Sequence, residues 1–354
     1  MIRVVINGYG RIGRVAHRVI LQKHASRIEV VAINAGSSTD IKGWMYLLKY
    51  DTSYGPLSSE FRIQNSELTE GEKTGFLKDC IGYLIINDKK IPVFSQKDPT
   101  LLPWKDFQID VVIESTGHFL TEEKLKTHLT AGAKKVVLSA PAKSGGISTY
   151  VLSVNDKNYK NEALINNASC TTNCITPVAR IMVDNFGVEK AMMTTIHGYT
   201  SDQRVQDGGH KDYRRARAAA QNIVPTSTGA AIAAAQVIPE LEGIFDGLAI
   251  RVPVAVGSLS DFTFLLKRPT TKEEVNEIFK KEAQNPIYNG ILEITEDPIV
   301  SSDIIGNSHS AIVDLSLTQV VSGNMVKVIA WYDNEFGYAN RLVEEVLMIG
   351  NSKL

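Results

Sequence analysis

Apolar residues fall into two rhythms along the chain. In the first half, short apolar runs at residues 3–7, 28–33, 111–117 and 135–141 end in or run into glycine, proline, amide or small hydroxyl residues. Between them apolar positions return at helical spacing, as at Val15, Val19 and Ile20. Such runs read as strands buried on both faces, and their alternation with amphipathic helices builds a parallel sheet. Helices are predicted over residues 40–50 and from Thr121, whose first turn carries Glu122 and Glu123. Residues 259–266, 311–317 and 325–332 of the second half suggest an antiparallel sheet, with residues 273–282 as a covering helix. An amphipathic helix follows over residues 339–349. The segment 56–90, with the polar stretch 65–73, reads as short strands and a surface excursion. Ala-rich residues 216–220 and 230–235 read as small-residue segments at tight packing contacts.

The first strand runs directly into Gly8-Tyr9-Gly10-Arg11-Ile12-Gly13 and then a helix. Glycines in this order let the backbone turn tightly, let a pyrophosphate approach with no Cβ in the way, and aim the helix N-terminus at it. A merely tight strand-to-helix turn is the competing reading. Strand ends bearing small polar residues, as at Thr116, Gly117 and Ser139, are where a parallel sheet binds ligands. Residues 1–169 are therefore expected to form a Rossmann dinucleotide-binding domain.

At the end of the second strand such a fold normally carries an acidic residue for the adenosine ribose. The chain has Asn34-Ala35-Gly36-Ser37-Ser38-Thr39, with no carboxylate before Asp40. A carboxylate there binds a 2′-hydroxyl and repels a 2′-phosphate, so its absence removes the main element that rejects NADP. Two readings stand: Asn34 or a backbone group holds the ribose of NAD, or NADP is accepted with the hydroxyls of Ser37, Ser38 and Thr39 beside its phosphate. The second is favoured.

The chemistry centres on Asn167-Ala168-Ser169-Cys170-Thr171-Thr172-Asn173-Cys174, a loop opening a helix. A thiol at a helix N-terminus faces backbone N–H groups and the positive end of the peptide dipole, which stabilise its thiolate. Cys170 is the candidate nucleophile; a buried structural thiol is the other reading. Cys174 reads as packed core, since the pair lacks redox spacing and no Cys/His set completes a metal site. His197 ends an apolar strand, where a neutral imidazole either serves the structure or moves a proton beside Cys170. The arginines within residues 204–217 are a solvated face or a phosphate-binding loop. The segment Pro225-Thr226-Ser227-Thr228-Gly229 is expected to open a helix as a second anion site. Arg251 sits inside an apolar strand, where it needs a partner.

Length sets the frame, because 354 residues exceed one ordinary core and fit two domains. With 44% hydrophobic and 22% charged residues and a net charge of −1, the profile is that of a soluble globular protein, and nucleic-acid binding is not its primary function. Three cysteines favour a reducing compartment over a disulfide framework. The chain enters a strand at once and has no run of about 18 apolar residues, so a cytoplasmic protein with no membrane association is expected.

Together these pieces resemble the type I phosphorylating glyceraldehyde-3-phosphate dehydrogenase family nearly end to end. The resemblance rests on residues 7–14 (NGYGRIGR), 168–174 (ASCTTNC), 197–200 (HGYT), 210–212 (HKD) with 214–220 (RRARAAA), and 331–337 (WYDNEFG). It implies an α/β chain: a Rossmann domain over 1–169, an α+β catalytic domain with a mixed or antiparallel sheet over 170–334, and a terminal helix, 335–354, packing back on the first domain. It implies that Cys170 attacks the aldehyde of glyceraldehyde 3-phosphate and that His197 assists proton transfer. The resulting thioester is cleaved by inorganic phosphate to give 1,3-bisphosphoglycerate. Thr200, Asp202 and Arg251 match the substrate C3-phosphate site. Ser169, Thr171, Thr228 and Gly229 match the inorganic phosphate site, with Arg215 shared between the two. Asn334 matches the residue fixing the nicotinamide amide. Gly8, Gly10, Arg11, Ile12 and Gly13 match the pyrophosphate turn, and Thr116, Gly117 and Ser139 the cofactor cleft. A homotetramer is implied, in which the 204–217 loop reaches a neighbour's cofactor site; no metal is.

The departures concern the cofactor. NAD-selective members of that family carry Asp where Ala35 stands and often Leu-Pro in place of Gly208-Gly209. Both changes lie in the direction of NADP-using relatives. Residues 253–258 also differ from the commoner Pro-Thr-Pro-Asn run. The resemblance leaves room for a paralogue oxidising erythrose 4-phosphate without phosphate, and for a secondary RNA-binding or adhesin role.

Overall fold

A computed structural model describes residues 1–65, 75 and 77–352. The polar stretch read as part of the excursion lies, beyond Asn65, outside the described residues. The chain divides into two compact units, Met1–Thr149 with Tyr159–Asn167 and Ala339–Leu354, and Tyr150–Asn158 with Ala168–Tyr338. These breaks differ from the expected 169/170 and 334/335. Val151 and Ala168 are buried in the second unit's core, and the Tyr338 hydroxyl donates to the Ala168 carbonyl at 3.2 Å.

The first unit is built on a nine-stranded sheet. From edge to edge its strands are Ser148–Thr149, Leu164–Asn166, Lys135–Leu138, Val111–Glu114, Ile2–Asn7, Ile28–Asn34, Lys89–Phe94, Cys80–Ile86 and Phe61–Asn65. The first seven are parallel and the last two antiparallel, which gives the α/β class expected. The described part of the 56–90 segment thus extends the sheet. Asn87 and Asp88, both at positive φ, form the two-residue turn of a hairpin there, a conformation Asn and Asp tolerate.

The Arg11–Val19 helix buries Val15, Ala16 and Val19. The Phe336–Asn351 helix belongs to the same unit from Ala339 onward. Gly350 lies so close to Ile2 that a Cβ would stand 2.7 Å from its Cδ1. Buried Lys135 donates to the Ile349 carbonyl (2.9 Å), the Asn161 side chain (2.5 Å) and the Tyr159 hydroxyl (3.0 Å), capping a helix C-terminus with a cation.

The second unit carries a mixed eight-stranded sheet. Its path is Val224–Ser227, Phe245–Val252, Val188–Gly198, Ser258–Leu266, Met325–Tyr332, Ala311–Asp314 and Leu292–Thr295, with Gln319–Val321 paired to Met325–Tyr332. The Cys170–Phe186, Ala230–Val237 and Lys272–Ala283 helices contribute Cys174, Ile175, Val178, Ala231, Ala234, Val275 and Phe279 to the core shared with Phe262, Phe264, Val326 and Val328. On this sheet Met192, Leu248 and Met325 remain exposed.

Two local expectations change. Pro225–Ser227 belongs to a strand, and the helix begins only at Ala230 with Gly229 as its cap. Residues 216–220 lie in turns where Ala219 alone is buried, because the flanking charged side chains keep the segment at the surface. Among the described residues no helix is long and apolar enough to cross a membrane, and no group of three or more His, Cys, Asp or Glu could hold a metal ion.

Candidate active site and cofactor cleft

In the second unit, Cys170 is the first residue of a helix capped by Ser169, whose Oγ accepts from the Thr172 N–H at 3.1 Å. Cys170 Sγ lies 3.4 Å from His197 Nε2, at the end of the Val188–Gly198 strand. Burial pushes the thiol up. The Arg251 charge and hydrogen bonds involving Thr171 and the Cys170 backbone pull it down, without reversing the direction. The helix N-terminus acts in the downward sense as well. The stabilised thiolate expected from the sequence is thus opposed by desolvation.

The imidazole facing it is held neutral. Burial first, and the Arg251 charge second, lower the His197 pKa to about 3. Its Nδ1 lies 2.6 Å from the Gly198 carbonyl and 2.5 Å from Arg251 Nη1. One nitrogen cannot both donate to a carbonyl and accept from a guanidinium, so these contacts compete for its proton. With the proton on Nδ1 and bonded to Gly198, Nε2 presents its lone pair to Cys170. In that tautomer the partner that Arg251 required inside its strand is the Gly198 carbonyl, 3.2 Å from its Nη1, while its charge stands against the His197 ring.

Tyr332 holds the frame around the pair, and the sequence reading did not single it out. Its buried hydroxyl lies 3.0 Å from Thr171 Oγ1 and 2.8 Å from Thr195 Oγ1, and the His197 ring packs against it edge-on, 6.0 Å between centroids. It tethers the first turn of the Cys170 helix to the strand bearing His197. A tyrosine ending an apolar strand gives no sequence signal beyond its amphipathic shape.

Arg215 Nη1 donates to Asp202 at 2.6 Å, its Nε to Thr226 Oγ1 at 2.9 Å, and its Nη2 to the Ser227 carbonyl at 3.2 Å. The Arg215 charge also acts on both His197 and Arg251, so a positive field converges there. Asp202 is bound to Arg215 and to His210 at 3.4 Å. A carboxylate repels an anion, so its contribution is to orient Arg215. Thr200 accepts from Gln203 N–H through its carbonyl at 2.9 Å, and Thr228 Oγ1 accepts from Ala230 N–H at 3.2 Å, before Gly229 caps the next helix. Asn334 Oδ1 accepts from Gly257 N–H (3.1 Å) and Ser258 Oγ (2.9 Å), fixing the plane of its amide.

In the first unit, a cleft of about 480 Å³ is lined by Gly8, Tyr9, Gly10, Asn34, Ser37 and Thr116, among others. Arg11, Ile12, Gly13, Gly117 and Ser139 do not line it. Arg11 instead turns its guanidinium to Asp51, at 2.5 Å. The glycines differ in what they serve. Gly8, at φ +93°, has Thr116 N 2.6 Å from where a Cβ would stand, and a Cβ on Gly13 would meet the Gly8 carbonyl at 2.2 Å. A Cβ on Gly10 would meet nothing within 4 Å, so no protein packing accounts for that glycine. Open space there is what the approach of a pyrophosphate would require.

Asn34 is tied into the fold by its amide. Its Nδ2 donates to Asn7 Oδ1 (2.7 Å) and the Gln96 carbonyl (2.8 Å), and its Oδ1 accepts from Gln96 N–H (3.1 Å). The side chain lines the cleft with both amide hydrogens spent within the fold, which leaves its Oδ1, with one lone pair open, as the atom available to a ribose hydroxyl. Trp44, Gln96, Lys97, His118 and Phe119 also line the cleft and were not foreseen. Gln96 and Lys97 follow the Lys89–Phe94 strand, which the sequence reading did not place and whose parallel pairing, through Val93 and Phe94, lies beyond the 56–90 excursion.

The description "Glyceraldehyde 3-phosphate dehydrogenase, NAD binding domain" fits residues 2–79 and 75–122, and that of its C-terminal domain fits residues 169–334. This chain belongs to the glyceraldehyde 3-phosphate dehydrogenase family. It is 48% identical over 352 residues to a glyceraldehyde-3-phosphate dehydrogenase of Streptomyces coelicolor, covering 99% of both chains. It is 48% identical over 356 residues to one of Mycobacterium avium, again over 99% of each. To glyceraldehyde-3-phosphate dehydrogenase 2 of Synechocystis sp. it is 47% identical over 346 residues, 97% of each. The family is one of NAD-dependent oxidoreductases acting on an aldehyde group. The first unit's glycine turn, with open space at Gly10 above a helix N-terminus, fits a nicotinamide dinucleotide.

Proposed function

We propose that this chain catalyses the phosphate-dependent oxidation of glyceraldehyde 3-phosphate to 1,3-bisphosphoglycerate. The observation that carries the reading is the 3.4 Å contact between Cys170 Sγ and a neutral His197 ring beside Arg251. Cys170 Sγ bonds the aldehyde carbon, and the thiol proton passes to the carbonyl oxygen by way of His197 Nε2. His197 then takes the proton of the resulting hydroxyl, leaving a thioester on Cys170. A bound NAD(P) cofactor supplies the oxidising power, accepting the two electrons and the hydrogen of the former aldehyde carbon. A phosphate oxygen attacks the thioester carbon, the C–S bond breaks, and Cys170 leaves as the thiolate.

Arg251, Thr200 and Arg215, oriented by Asp202, are assigned to the substrate's C3 phosphate. Ser169, Thr171, Thr228 and Gly229 are assigned to inorganic phosphate, with Arg215 between the two, and Asn334 to the nicotinamide amide. Initial rates of cofactor reduction, with and without inorganic phosphate, test the reading. Phosphate dependence and loss of turnover in Cys170→Ser are expected. Equal rates without phosphate, or normal turnover by that variant, overturn it.

The cofactor is read as NADP-accepting. Among the residues lining the described cleft none is a carboxylate, while Ser37 and Lys97 are present. A homotetramer is also part of the proposal, supported by the exposed Met192, Leu248 and Met325 on the second unit's sheet and by the exposed Val205 and Tyr213 in the charged loop. The free thiols of Cys80, Cys170 and Cys174 support a cytoplasmic setting.

A further inference from the structure

Trp44 stands on the Ile41–Lys49 helix and lines the cofactor cleft. Its indole bridges Tyr9, which lines the cleft, and Ser38, which follows the lining residues Ala35, Gly36 and Ser37 without lining the cleft itself. On one side, the Arg14 guanidinium lies over the ring, 5.4 Å from its centroid, and Tyr9 of the glycine turn meets it edge-on at 6.1 Å. On the other, Nε1–H donates to Ser38 Oγ at 3.0 Å. Ser38 belongs to the turn after the second strand, closed by Ser38 N–H to the Ala35 carbonyl at 3.2 Å and by Gly36 at φ +69°. That turn is where a dinucleotide fold meets the 2′ position of the adenosine ribose.

The direction of the bond matters. An indole N–H only donates, so it takes one acceptor site of the Ser38 hydroxyl, and Asp40 N–H approaches the other at 3.4 Å. With both lone pairs engaged, the hydroxyl retains only a proton to give. A phosphomonoester is purely an acceptor, whereas a ribose hydroxyl both donates and accepts. We propose that Trp44 is a positioning residue for cofactor specificity: it sets Ser38 as a one-way donor and holds the 35–39 turn for a 2′-phosphate. Asp40, the nearby carboxylate of the turn, is held at the helix cap by Gly43 N–H at 2.8 Å. The proposal rests on the NADP-accepting reading above and deepens it.

The test is equilibrium binding of NADP and NAD to the full chain by calorimetry, with tryptophan fluorescence as a second signal, and steady-state kinetics alongside. Trp44→Phe keeps the ring and loses the N–H, and Ser38→Ala, on the surface turn, guards against a folding defect. Each is expected to lower the NADP-to-NAD affinity ratio by about fivefold or more, the loss falling on KM rather than kcat. The double variant should lose no more than either single one. An equal weakening of both cofactors assigns Trp44 to structure alone and overturns the proposal, as does an unchanged ratio. Absence of phosphate-dependent turnover in the unmodified protein would instead sink the proposed reaction, leaving the binding ratios to judge Trp44.

Discussion

The Tyr332 hydroxyl lies 2.8 Å from Thr195 Oγ1, and through its second contact, to Thr171, it ties the Cys170 helix to the strand that ends in His197. The spacing of Cys170 and His197 is thus supported by a residue bonded to the threonines beside them, one on each element. Tyr332→Phe removes both bonds and leaves two buried threonine hydroxyls without this partner. A loss of about 1–3 kcal/mol in unfolding free energy is expected, together with a lowered kcat. Denaturant unfolding and kinetics on the same preparation check it, and a variant as stable as the parent contradicts the tether.

His197→Asn removes the ring that faces Cys170 and is expected to lower kcat by about 10²–10⁴. The neutral ring is already unprotonated far below physiological pH, since its pKa is lowered to about 3. The acid limb of the pH–rate profile should therefore not carry an ordinary histidine titration near pH 6.5. A limb with that midpoint, abolished by the substitution, would contradict the burial argument.

Arg251 lowers the Cys170 pKa by its charge, against burial. Removing the charge in Arg251→Leu must therefore raise it, and the thiolate fraction at neutral pH falls. Alkylation of Cys170 by iodoacetamide, followed across pH, should shift to higher pH in Arg251→Leu and less in Arg251→Lys. An unmoved profile in the leucine variant rules out the electrostatic role.

His17 is buried against the Tyr9 hydroxyl at 2.6 Å, and burial lowers its pKa from 6.5 to about 3. The unfolded chain therefore binds a proton below pH 6.5 that the folded one refuses until about pH 3. Stability carried by the neutral ring is full above that window and is lost as pH falls through it. Thermal unfolding of His17→Gln should decline less steeply between pH 6 and 4 than that of the parent; equal slopes would assign the acid sensitivity elsewhere.

Much of this was legible in residue order. The strand, glycine turn and helix from residue 2 to 19 follow from local rules, because an apolar run and a turn demanding Gly8 depend on neighbours a few positions apart. The same holds for the Ser169 cap and for Cys170 at the head of its helix. Local order could also show that no carboxylate follows Asn34, and it placed Arg251 in a strand where a partner was needed.

Which partners meet is a matter of long-range packing. The Cys170 and His197 atoms come together across 27 positions, and Thr171 and Tyr332 across 161. No periodicity encodes such pairings. Asn34 shows the limit most clearly: its type and position suggested a ribose ligand, while only the fold, bringing Gln96 from 62 positions away, decides that both amide hydrogens are spent and the oxygen alone is left to accept. Burial acts in the same way on Cys170, where the helix N-terminus read from order favours the thiolate and the surrounding core, assembled from distant strands, opposes it. Local sequence sets backbone conformation and the chemistry on offer, while desolvation and hydrogen-bond saturation depend on everything that packs around a group.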